Sequence, residues 1–233
     1  MTRMSQTAVV VGVRGLGRRI ALHFGRAGWR VVCAARTRAE VEAAAREVDA
    51  VGGRGVPAVC DLGDAHSLAP LVAERVDLCI ASQSPGGRFG ARALVEIDPL
   101  ELQRSFHSYV VGTWNLLQVL GAKMLVQGAG TFLQIGTSSG VRTREGFAAL
   151  GATQAALRAL VQVAAKEWRP AGIHVAYVPI DGGISGEPNP PGDHAVPQQE
   201  IARACEFLYH QPPAAWTHEL LLRPRASDWT APT

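Results

Sequence analysis

Residues 7–24, TAVVVGVRGLGRRIALHF, decide the fold. TAVVVG (7–12) is a short unbroken apolar run closed by a glycine, the pattern of a strand buried on both faces. Gly12, Gly15 and Gly17 allow a tight turn, and a helix then opens near Gly15 and runs to about Gly28. It carries Ile20, Leu22 and Phe24 inside a positively charged surface. At such a junction glycine lets the backbone approach an anion closely. The helix start adds unpaired N–H groups and a partial positive charge. The competing reading is a tight turn with no ligand.

The same alternation continues outward. Strands are expected at 30–35 (RVVCAA), about 55–60, 77–81 (DLCIA), 130–136 (GTFLQIG), 173–179 (IHVAYVP) and about 218–222 (HELLL). Between them lie helices at 38–51, 98–126, 146–169 and about 198–210. Asp98-Pro-Leu-Glu101 reads as an N-cap, a proline at the first helical position and a capping-box glutamate. Leu150, Leu157, Leu160, Ala164 and Trp168 fall near helical spacing. The glycine- and proline-rich stretch 181–197 reads as a loop or short lid. This βαβα order predicts one α/β domain over 1–233, a doubly wound parallel sheet of about seven strands with helices on both faces. Ligands then belong beyond the carboxyl ends of strands one, two, four, five and six.

Composition narrows the function classes. The chain has 233 residues, 47% hydrophobic and 18% charged, with a net charge of +3 spread over scattered arginines. No dense basic run with interleaved aromatics appears, so nucleic acid is not an expected partner, whereas anionic small molecules are. Cys33, Cys60, Cys79 and Cys205 show no C-x-x-C spacing, and His107, His194 and the other histidines show no ligand pattern, so no metal is expected. No serine sits in a G-x-S-x-G elbow. The apolar run after the short polar start is too brief to span a bilayer and no signal peptide precedes it. A cytoplasmic protein without a membrane partner is the expectation.

The second strand ends at Ala35-Arg36 without the acidic residue that binds a ribose 2′-hydroxyl. Arg14 and Arg36 could instead flank a 2′-phosphate, which favours NADP over NAD. The alternative is two solvated surface arginines.

With these stretches in hand, together with CDLGD around Asp61, GTFLQIGTSSGVRTREGFAALGATQAALRAL and GIHVAYVPIDGGI, the chain resembles the short-chain dehydrogenase/reductase superfamily over nearly all its length. The resemblance implies a Rossmann-type fold, a nicotinamide dinucleotide and hydride exchange with a carbonyl or alcohol. It places Asp61 against the adenine, and makes Gly12, Arg14, Gly15, Leu16, Gly17, Arg36, Asp61, Leu62 and Ser82 the cofactor-binding set. It also implies a homodimer or homotetramer through helices 98–126 and 146–169, where Gly151, Ala152 and Ala155 would permit close helix approach.

The departures from the family pattern concern the chemistry. The glycine turn is one residue shorter than G-x-x-x-G-x-G, and Ala81-Ser-Gln-Ser84 stands where the family has Asn-Asn-Ala-Gly. If the short turn and Gln83 block the groove, no cofactor binds. The family's Asn, Ser, Tyr and Lys become Tyr109, Thr137, Leu150 and Gln154. Leu150 has no proton to give, and a positioned general acid contributes about 10²–10⁴-fold; plain ketones and aldehydes should therefore be poor substrates. Candidate catalytic residues are Thr137, Tyr109 and Asp181. Against them stand packing for Tyr109 and a simple Asp-Gly turn for Asp181; Ser138 and Ser139 read equally well as caps of a turn. The expectation is an atypical NADP(H)-binding oxidoreductase acting on a small organic substrate. The alternatives are a non-redox cyclase, lyase or dehydratase using Asp181 or Tyr109, and a catalytically silent dinucleotide-binding protein.

Overall fold

The computed structural model describes residues 6–72, 75–84, 91–186 and 193–227. Six parallel strands form its central sheet: β1 (Thr7–Val11), β2 (Arg30–Ala35), β3 (Arg54–Val59), β4 (Leu78–Ala81), β5 (Gly130–Thr137) and β6 (Ile173–Ile180). Their order across the sheet is β3-β2-β1-β4-β5-β6. The chain winds outward from β1 to β3, then crosses back to place β4 on the other side of β1. That reversal opens a crevice between the carboxyl ends of β1 and β4.

Period-two alternation builds two cores. Val9 and Val11 of β1 face one side, with Leu116, Leu120, Phe132, Leu157 and Tyr177. Ala8 and Val10 face the other, with Ile20, Phe24, Val41, Leu133 and Ile201. Each fully buried Phe or Leu contributes about 1.5–3 kcal/mol. The helices α1 (Leu16–Arg26), α2 (Arg38–Ala50) and, after the crossover, α3 (Pro99–Phe106), α4 (Gly112–Gln127), α5 (Ala148–Trp168) and α6 (Gln198–Tyr209) cover the two faces. With its following turn, α5 (148–171) is the one described helix long and apolar enough to cross a bilayer, and half of that window is buried in this core.

Several sequence expectations are corrected. The helix expected over 98–126 is two helices joined by a π turn at His107–Val111, where the Gly112 N–H reaches back to the His107 carbonyl. Asp98 caps α3 by accepting from the Leu100 N–H at 2.9 Å, but the Glu101 carboxylate pairs with Arg92 instead of closing a capping box. The helix expected from 146 starts at Ala148, because Gly146 lies at φ +81°. The loop expected over 181–197 contains two paired parallel strands, β7 (Gly183–Ser185) and β8 (Ala195–Pro197); residues 187–192 lie outside the described residues.

The strand expected at 218–222 is present only as two parallel bridges to β6, Tyr177 to Glu219 and Ile180 to Leu222. Pro179 explains the interruption. On that edge the Tyr177 N–H donates to His218 O and the Asp181 N–H to Leu222 O, both at 2.9 Å. Between them Pro179 has no N–H to give.

Candidate active site

At the crevice, three strand ends meet around the glycine turn. The Gly12 N–H donates to Ala34 O at 2.8 Å and the Ser82 N–H to Val11 O at 2.9 Å. Gly12 has φ +86°, and a Cβ there would lie 2.6 Å from Ser82 O. A Cβ on Gly17 would lie 2.2 Å from Gly12 O. Only glycine fits at either position. The shortened turn is thus closed tightly on itself, and α1 begins with no side chain capping its first N–H groups.

A cleft of about 630 Å³ opens beside this turn. Of the cofactor set read from the sequence, Gly12, Arg14, Arg36, Asp61, Leu62 and Ser82 line it. Gly15, Leu16 and Gly17 do not; they shape the turn and start α1. Asp61 Oδ1 accepts from the Gly63 N–H at 3.0 Å, and Leu62 O accepts from Asn115 Nδ2 at 2.7 Å, so α4 pins the segment after β3. Gln83 does not close the groove. Its Nε2 donates to Thr113 Oγ1 at 2.7 Å, and Thr113 in turn donates to Gln134 Oε1 at 3.0 Å. The side chain is drawn into the wall, and its buried Oε1 has no hydrogen-bond partner among the described residues.

Several cleft residues escaped the sequence reading, among them Glu40, Arg104 and His107. Glu40 lies 3.6 Å from the Arg14 guanidinium and tempers the cationic rim. Arg104 and His107 reach the cleft from α3 and the π turn. Helical spacing gave no sign that this face of α3 turns toward the strand ends.

A second cavity, about 730 Å³, lies beyond β5 and β6. Thr137, Ser138, Ser139, Arg142, Thr143, Arg144, Leu150, His194 and Ser227 are in its wall. Thr137 Oγ1 accepts from the Ser139 N–H at 3.2 Å, which leaves the Thr137 hydroxyl hydrogen to be donated elsewhere. Leu150 puts an apolar surface beside it. The Arg142-Thr-Arg144 run after the fifth strand was legible in the sequence as cations at a ligand-binding edge, and was missed.

The other candidates are not brought to this wall. Gln154 is fully buried: its Oε1 accepts from the Thr137 N–H and from the Tyr177 hydroxyl, both at 3.1 Å. It serves as a strut between β5, α5 and β6. Tyr109 is buried in the core beside Leu116, Leu117 and Leu150. Burial pushes its phenol pKa up, only partly opposed by a hydrogen bond with Ser84. This is the packing environment weighed against a catalytic role.

Asp181 has no solvent exposure and is clamped by cations. Its carboxylate lies 3.0 Å from Arg144 and 3.3 Å from both Arg142 and Arg223, and accepts from Ser227 Oγ at 3.0 Å. Burial alone would push its pKa up, but hydrogen bonds from Ser138 and Ser227 and the charges of Arg142 and Arg223 prevail, and the net shift is downward. A carboxylate held ionised this way is an anchor for arginines and a poor proton donor.

No group of three or more His, Cys, Asp or Glu side chains that could hold a metal occurs among the described residues. All four cysteines are buried and unpaired; burial pushes Cys60 up to about 11 and Cys33 and Cys205 up to about 12.

A parallel sheet of this order, with a glycine turn at its switch point and a cleft across the strand ends, defines a doubly wound Rossmann-type fold. The short chain dehydrogenase family model matches residues 6–182, and the chain belongs to that family. An uncharacterized oxidoreductase of Mycobacterium tuberculosis is 32% identical over 178 residues, 73% of this chain and 67% of that protein. The 1-cyclohexenylcarbonyl-CoA reductase of Streptomyces collinus is 28% identical over 190 residues, 77% of this chain and 64% of that protein. Among solved structures, a metagenomic short-chain oxidoreductase in complex with NADP superposes with a TM-score of 0.79 at 28% identity, covering 94% of this chain and 96% of that one.

Proposed function

We propose that the protein is an NADP(H)-dependent oxidoreductase acting on a small organic substrate without the family's Tyr/Lys proton relay. The observation that carries this reading is the first cleft. A glycine turn that admits no side chain at Gly12 or Gly17 lies at its floor; Arg14 from that turn and Arg36 from the end of β2 line the cleft, and β2 ends without an acidic residue to favour a ribose hydroxyl. The buried, unpartnered Gln83 Oε1 is an acceptor awaiting a donor from a bound group. The dinucleotide would supply or accept the hydride.

The chain's own contribution follows from the second cavity. Thr137 donates a hydrogen bond to a substrate oxygen, and Leu150 keeps water from its flank. With Gln154 committed to Tyr177 and Thr137, no side chain at the family's Tyr and Lys positions moves a proton. The proton therefore comes from solvent or from the substrate. The clamp on Asp181 and the core packing of Tyr109 count against the non-redox acid–base reading and so support the redox one. Dimerisation through α4 and α5 belongs to the same proposal. Ala152 and Ala155 are exposed on α5 beside Val163, and Trp114 is exposed on α4. Gly151 is not part of that surface, since a Cβ on it would meet Thr143 at 3.0 Å inside the fold.

Calorimetric titration with NADPH and NADH tests the reading. NADPH should bind at least tenfold more tightly; equal affinity would end the preference, and no binding would end the proposal. NADPH binding with no oxidation across a broad carbonyl panel would instead favour a silent dinucleotide-binding protein.

A further inference from the structure

Gln83 lines the first cleft and is only 9% exposed, and its Oε1 has no hydrogen-bond partner among the described residues. A buried amide oxygen without a donor costs stability, so its orientation needs a cause. Two backbone carbonyls supply it. Gln134 Nε2 donates to Ala81 O at 3.1 Å and to Ile135 O at 2.9 Å. Carbonyls only accept, so Gln134 Oε1 is the end of that amide left for Thr113. The Thr113 hydroxyl donates to it at 3.0 Å and keeps a lone pair for a donor of its own. Gln83 Nε2 is that donor, at 2.7 Å. Reversing the Gln83 amide would set its oxygen against a hydroxyl oxygen whose only hydrogen is already given away. The chain of bonds from β5 through Thr113 thus forces the free end of Gln83 to be an acceptor.

The place of that acceptor along the cleft follows from the strand order. A Cβ on Gly12 would lie 3.0 Å from Gln83 Cα, so Gln83 sits against the glycine turn, just beyond β4. Arg14 and Arg36, the proposed 2′-phosphate contacts, mark the β2 side; β4 lies across β1 from β2, toward β5 and the second cavity. A dinucleotide laid from those arginines over the turn reaches Gln83 with its nicotinamide half. Ionised phosphates only accept and cannot pair with an amide oxygen, whereas ribose hydroxyls donate. Gln154, at the family's Lys position, is already committed to the Thr137 N–H and the Tyr177 hydroxyl. We propose that Gln83 Oε1 accepts a hydrogen bond from a hydroxyl of the nicotinamide ribose, with Thr113 and Gln134 as the positioning residues that hold the amide. Oε1 is itself covered, so the bond requires the amide to rotate slightly about its hold on Thr113; relief of an unpaired buried oxygen favours that rotation.

This inference deepens the proposed function and rests on its NADP(H) reading. It assigns the ribose-holding role, which no lysine at 154 can perform here, to a side chain at the end of β4. Gln83 is a binding residue and is given no proton to move.

The test is calorimetric titration of the full chain with NADP+, adenosine 2′,5′-bisphosphate and 3-acetylpyridine adenine dinucleotide phosphate. The bisphosphate lacks the nicotinamide half, and the acetylpyridine analogue keeps the ribose but has no carboxamide N–H. Gln83→Met should weaken NADP+ and the analogue alike, by about tenfold, and leave the bisphosphate within about twofold. Unchanged NADP+ affinity, as when water and not ribose pairs with Oε1, would overturn the inference. An equal loss for the bisphosphate would overturn it as a general disturbance of the cleft, and a loss confined to NADP+ would make the carboxamide the donor instead. Should Gln83→Met fail to fold, Thr113→Val decides the same question, since Thr113 is wholly buried and does not line the cleft. It releases the Gln83 amide and should weaken NADP+ several-fold with the bisphosphate unchanged; NADP+ affinity that stays the same would overturn the inference. No heat from NADP+ with the unaltered protein would instead end the cofactor reading, and this inference with it.

Discussion

The two cavities sit at the same edge of one sheet but are walled by different materials. The cleft over β1, β2 and β4 is made of backbone: Gly12 against Ser82, and Gly17 against Gly12, at distances where no side chain fits. The cavity over β5 and β6 is made of side chains, arginines and hydroxyls arranged around a buried aspartate. A wall of backbone tolerates almost no substitution, whereas a wall of side chains can be rebuilt residue by residue on an unchanged fold. The first can therefore change little without losing its shape, whereas the second has side chains such as Thr137 and Leu150 that can be exchanged one at a time.

The comparison can be broken most severely at the turn. Gly17→Val would drive a side chain into the Gly12 carbonyl; NADPH affinity should fall more than 100-fold and stability by about 3 kcal/mol, within the range for overpacking a tight site. Retained affinity in calorimetry, with an unchanged melting temperature, would show that the backbone wall is softer than its contacts imply.

Asp181→Asn probes the other wall. Removing one partner of a buried ion pair costs about 3–5 kcal/mol; with Arg144 and Arg223 partly in solvent, a loss of about 2–3 kcal/mol in urea unfolding at pH 7 is expected. The sign of the pH dependence is fixed by the lowered pKa. The carboxylate's contribution is complete above its unfolded value of about 3.9 and is lost as pH falls through the folded value. Wild type and variant should therefore converge in stability below about pH 4. A gap that stays constant down to pH 3 would contradict the clamp.

Restoring the family pair by Leu150→Tyr with Gln154→Lys is expected to gain no reduction of plain carbonyls and to lower stability by about 1–3 kcal/mol, the cost of stranding buried donors. A lysine ammonium cannot accept from the Thr137 N–H or the Tyr177 hydroxyl as Gln154 Oε1 does. Measurable ketone reduction by the double variant would mean that the cavity has merely lost two side chains. At the rim of the first cleft the effects are smaller. Arg36→Ala should weaken NADPH about tenfold, or roughly 1.4 kcal/mol, and leave NADH unchanged. Glu40→Gln should strengthen NADPH about twofold, as expected for an exposed charge.

Much of the first cleft was legible in the sequence because strand, glycine turn and helix are contiguous and each has its own local signature. Gly12, Arg14 and Arg36 reach the cleft simply by lying at strand ends. The second cavity was read less well, since its partners come from distant segments. Nothing local to Asp181 announces Arg142 and Arg144 from the other side of α5, or Arg223 and Ser227 from the end of the described chain. Tyr109 was ambiguous because a phenol at the family's Asn position suits either chemistry or packing, and only its neighbours decide. The π turn at His107–Val111 was invisible for the same reason: its residues suit an α-helix, and the extra residue per turn answers to the contacts of Gly112 with Leu62 and His107 with Gly63.

Tyr177 makes several positions of the site answerable to one another. A Cβ on Gly136 would lie 2.2 Å from its hydroxyl, and one on Gly140 2.9 Å from it, while the same hydroxyl donates to Gln154 Oε1. These four positions on two strands, a turn and a helix are interlocked, so that a change at one strands a donor or forces a collision at another. The lock is a source of epistasis: the effect of a substitution at 136, 140 or 154 depends on what stands at 177, and such changes should be non-additive with Tyr177→Phe.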